Sequence, residues 1–116
     1  MVLESIAQTP QIDGIRQELG RVEGEAYYVK SNDLAGLLLN VDAAEALELA
    51  SKSILSNEIK AFPEQLARAY FIKGRAQILK GDYEASLLTL NTALDISEKE
   101  KPGVLSGRVH IAIGEV

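Results

Sequence analysis

Arg68, Phe71, Arg75 and Ile78 stand at spacings of three, four and three in a segment of helical periodicity, which puts them on one stripe of a helix. Two guanidinium groups beside an aromatic ring define a recognition chemistry. Guanidinium pairs with carboxylate through two parallel hydrogen bonds and stacks on flat rings. The stripe is therefore a candidate partner-binding surface for an acidic or aromatic peptide. A plainer reading competes with it, in which Arg68 and Arg75 pair with Glu64 or neighbouring acids on a solvated face.

Other reactive residue types do not converge. His110 is the sole histidine, and no acid, thiol or hydroxyl falls at a spacing that would make it a general base or a metal ligand. Tyr27 and Tyr28 form an aromatic pair better suited to anchoring a helix than to holding a ligand. Glu45, Glu48, Asp82 and Glu84 sit at expected helix starts or outward faces, where negative charge complements the helix dipole. The sequence contains no P-loop, dinucleotide fingerprint or serine-nucleophile elbow. The expectation is a protein that is not an enzyme and carries no cofactor or metal.

Composition narrows the class further. The chain has 116 residues, 47% of them hydrophobic and 25% charged, with a net charge of −5 and no cysteine. That charge repels a phosphate backbone, so nucleic acid is excluded as an expected partner. Without cysteine there is no disulfide or thiolate chemistry and no need of an oxidising compartment. No apolar run approaches the roughly 20 residues that span a bilayer, and the first ten residues lack a secretory leader. The expected location is cytoplasmic, with no membrane contact.

Abundant Leu and Ala with only three Pro favour an all-α fold. Residues 1–9 read as a flexible lead-in, with Thr9 and Pro10 opening a helix that runs to about Tyr28 on the apolar stripe Ile12, Ile15, Leu19, Val22 and Ala26. Gly14, Gly20 and Gly24 weaken that helix, and the Gly20-to-Gly24 spacing lacks the apolar context of membrane pairing. Ser31-Asn32-Asp33 reads as a cap before a short helix over Leu34–Leu39. Asp42 caps a longer helix to about Ile59, which Phe62-Pro63 ends. Helices are then expected over 63–80 and 82–99, and a further one from Val104.

Internal repetition organises these elements. Gly74, Ala76, Gly81, Tyr83, Ser86, Leu90 and Ala93 place small residues where two packed helices touch, and Asp42 and Leu47 recur forty positions on as Asp82 and Leu87. Arg68 and Gly74 recur as Arg108 and Gly114. The pattern resembles the tetratricopeptide repeat, with one clear unit at about 64–101, a degenerate unit at about 27–62 and a partial unit at 104–116. Tyr70 takes the place of the family's large apolar residue early in the first helix. The step is forty rather than the family's usual thirty-four or so.

The resemblance implies an α-solenoid of antiparallel helix pairs over residues 10–116, with the first helix of each pair lining a concave face. It implies a protein–protein interaction module of a bacterial signalling or transcription-regulatory protein. Such a module binds a protein or peptide, or associates with a second copy. A structural spacer between domains is the alternative. An array that stops within a unit further implies a piece of a longer protein, whose uncovered end favours self-association.

Overall fold

A computed structural model describes residues 3–100, with side chains from Pro10 to Lys99. The expected helix from Val104, with His110 and Gly114, lies outside them. The described part is all-helical, with no strand among the described residues: α1 (Leu3–Leu19), α2 (Glu25–Leu38), α3 (Ala43–Leu55), a single 3-10 turn (Glu58–Ala61), α4 (Pro63–Leu79) and α5 (Tyr83–Glu100).

Two antiparallel hairpins form the body. In the first, Tyr28 Oη meets Ser56 Oγ at 2.5 Å and Ser31 Oγ meets Ser53 Oγ at 3.2 Å, both pairs placed symmetrically about Asp42. In the second, Gly74 lies against Leu90, symmetric about Asp82. From 42 to 82 is the forty-residue step seen in the sequence. Both centres have local causes. Asp42 accepts from the Glu45 amide at 3.1 Å and so caps α3. At the second bend, Gly81 has φ 84°, its amide donates to Ile78 O, and the Asp82 amide reaches back to Gln77 O at 2.9 Å. That double bond closes the end of α4 around a residue that needs a left-handed conformation.

The hairpins pack through α4, which touches α2 and α3 on one side and α5 on the other. Ile72 joins Ala35 and Ala50 in one buried cluster, Ala76 joins Leu34, Leu38 and Ala46 in a second, and Ala69 joins Tyr28 and Ile59 in a third. Tyr27 and Tyr28 meet edge to face with ring centres 5.2 Å apart, and Tyr28 also neighbours Phe62, the anchoring role expected of them. On the far side of α2, α1 packs antiparallel, with Ile12 buried against Leu34 and Leu38. Ion pairs Lys30–Glu18 at 2.7 Å and Arg16–Glu45 at 2.6 Å tie α1 to α2 and α3. Glu18, by hydrogen bond and charge, raises the pKa of Lys30 above its ordinary value.

Four stretches differ from the sequence reading. Helix α1 starts at Leu3 and continues through Pro10, so the helix is not opened by that proline; the ring costs the helix the hydrogen bond to the carbonyl of Ile6. The expected helix over 10–28 is instead broken at 20–24, because Gly24 adopts φ 63°, open to glycine and strained for other residues. Ser31-Asn32-Asp33 lies inside α2 and caps nothing, since each of the three side chains finds a tertiary partner. At the other end of the hairpin, α3 stops at Leu55 rather than Ile59, and the chain turns so that Ile59 enters the core.

Candidate functional site

The side chains that fix α2 against α4 also build the floor of a groove. Asn32 falls on the buried stripe Tyr28, Asn32, Ala35 and is 1% exposed. An amide there is costly unless it is satisfied. Its Nδ2 donates to the Gln65 carbonyl oxygen at 3.0 Å and to Gln65 Oε1 at 3.1 Å. Gln65 Oε1 accepts a second bond from Arg68 Nη1 at 3.2 Å, and Arg68 Nη2 donates to Asp33 Oδ1 at 3.0 Å. The chain Asn32–Gln65–Arg68–Asp33 thus runs from the core to the surface and holds α2 and α4 side by side, pointing the same way.

Above this network lies an open groove of about 740 Å³ between α1, α2 and α4. Gln11 and Ile15 of α1 form one wall, Gly36 and Leu37 of α2 the floor, and Glu64, Arg68 and Phe71 of α4 the other wall. A methyl group at Gly36 would meet no heavy atom within 4 Å, so the absent side chain leaves room in the groove and is not filled by a neighbour. Gly74 is the opposite case: a methyl there would come within 2.6 Å of two Leu90 carbons.

The four stripe residues divide. Arg68 and Phe71 line the groove. Phe71 is also packed beside Ile72 on one side and beside the Leu90–Ala93 cluster on the other. Ile78 packs against Leu90 and Ala93, in the seam between α4 and α5. Arg75 is half-buried one turn beyond the groove, whose lining does not include it. Helical drift is the cause, since ten residues at 3.6 per turn leave Ile78 rotated by about 80° from Arg68, and α4 has neighbours on both sides to receive it.

Asn32, Asp33, Gly36 and Gln65 are not among the sequence-derived site residues. The signal for Asn32 is its place on an apolar stripe at helical spacing, which marks a buried position; cap-forming residue types mask it. Asp33 and Gln65 carry no such signal, because their partners are 35 and 33 residues away. Among the described residues no group of three or more His, Asp or Glu is placed to hold a metal ion, and no helix is long and apolar enough to cross a membrane.

No family model, no curated protein and no solved structure matches this chain. What its own geometry defines is an all-helical protein with a groove between α1, α2 and α4.

Proposed function

We propose that this protein is a non-catalytic protein–protein interaction module with tetratricopeptide-like stacking, and that its groove receives a peptide segment of a partner. The observation that carries the reading is the groove itself: an open channel with an apolar floor at Gly36 and Leu37, beside two helices fixed by a buried polar network. Pockets lined mainly by apolar groups with a few placed polar ones are the usual form of binding sites. The forty-residue step supports the solenoid, and the resemblance supports a regulatory parent protein of bacterial type. A cytoplasmic setting belongs to the same proposal, in keeping with a regulatory protein of that type.

Panning random short peptides on the immobilised chain tests this reading. Enriched peptides should lose about tenfold or more in affinity to Gly36→Phe, a loss of roughly 1.4 kcal/mol or more. Gly36→Ala should keep binding and raise stability by about 0.4 to 1 kcal/mol. No enrichment over a blank surface would leave the spacer role in its place.

Self-association is a second mode, favoured by a specific feature. Leu79, Tyr83, Leu87 and Leu88 are large apolar side chains left exposed around the bend of the second hairpin, with Leu88 73% exposed. Sedimentation velocity should show a concentration-dependent dimer that Leu88→Lys abolishes. A strict monomer at high concentration would remove this mode.

A further inference from the structure

We propose that the groove selects a peptide carrying a basic residue beside an apolar one and discriminates against an acidic peptide, an inference that rests on the groove's being a peptide site. The stripe of arginines, read alone, points the other way. Arg68, however, is already engaged: its Nη2 donates to Asp33 and its Nη1 to Gln65. Glu64, exposed on the same wall, has no cationic partner among the described residues. The ionised groups lining the groove are therefore Asp33 and Glu64 against Arg68, a surplus of one negative charge. The whole chain, at −5, adds a field of the same sign.

Guests of opposite charge meet this lining differently. An acidic side chain approaching Arg68 meets the repulsion of Asp33 and Glu64, and it competes for the guanidinium with Asp33, already bonded to it at 3.0 Å. A lysine or arginine meets two carboxylates without breaking anything, because Asp33 engages Arg68 through Oδ1 and its side chain remains 42% exposed. Ile15, Leu37 and Phe71 supply the apolar contact for the neighbouring residue. Recognition of this kind places charge complementarity at the rim and apolar burial at the floor.

Two peptide pools of equal Leu and Phe content, one with Lys and Arg and one with Asp and Glu at the remaining fixed positions, test the idea on the intact chain. The basic pool should be retained about three- to tenfold better, the scale of part-exposed ion pairs. Asp33→Asn with Glu64→Gln changes the local balance from −1 to +1 and should reverse the preference, while the amide introduced at position 33 keeps an oxygen for Arg68. Molar salt, with a Debye length of about 3 Å, should erase the preference in the unaltered chain without any substitution. Equal retention of both pools, or preference for the acidic one, overturns the charge inference and leaves the groove as a peptide site. Retention of neither pool above the level of Gly36→Phe overturns both.

Discussion

Leu90→Ala is expected to cost about 2 to 5 kcal/mol, the range for truncating a fully buried leucine whose surroundings cannot collapse. Leu90 is 0% exposed and fills the space that Gly74 leaves open on α4. Gly74→Leu should also destabilise, by about 1 to 3 kcal/mol, because its Cβ alone would stand 2.5 Å from a Leu90 methyl carbon. The two changes together should cost less than their sum. Forty positions earlier, at the equivalent places about Asp42, stand Leu34 and Ala50, both buried to within 1%, so the double variant gives the second hairpin the residue types that the first carries there. Urea unfolding of the four species closes the cycle. A coupling of about 0.5 to 3 kcal/mol in the rescuing direction is expected, and strict additivity would refute the equivalence of the two sites.

Ile59→Ala should be nearly as damaging, again about 2 to 5 kcal/mol. The turn at Glu58–Ala61 is held inward by this one residue: Ile59 is 0% exposed against Tyr28 and Ala69, while Glu58, Lys60 and Ala61 are exposed. Loss of the anchor should free the turn before it melts the helices. Hydrogen exchange should then show the Phe62 amide, bonded to Ile59 O at 2.9 Å, losing protection well ahead of the α4 interior. Uniform loss across α3 and α4 would mean that the turn is no separate unit.

The second hairpin is legible in the sequence because its determinants are local: Pro63 at the first turn of α4, Gly81 at its end, and small residues at helical spacing between. The N-terminal third departs from its sequence reading where a local preference loses to distant partners. Ser31, Asn32 and Asp33 favour caps in isolation, but Ser53, Gln65 and Arg68 satisfy them inside α2. Pro10 shows the same conflict, as a helix starter met in a helix interior. At the candidate groove, spacing alone puts Arg68 and Phe71 on one stripe, and both line it, yet spacing does not reveal the ionic state of the groove. Asp33 lies 35 positions from Arg68, and only the packing of α2 on α4 brings them together.

The bridge from Asn32 through Gln65 to Arg68 has a kinetic meaning for whatever enters above it. Because the receptor is already set before any encounter, the entropic toll of association falls on the visitor, and little backbone adjustment of the host is needed, within about 1 Å for pre-organised partners. Differences among related visitors should then be written in residence time, with arrival rates nearly constant. Under the proposed peptide-binding reading, such a protein acts as a fixed gauge, sorting sequences by how long they stay.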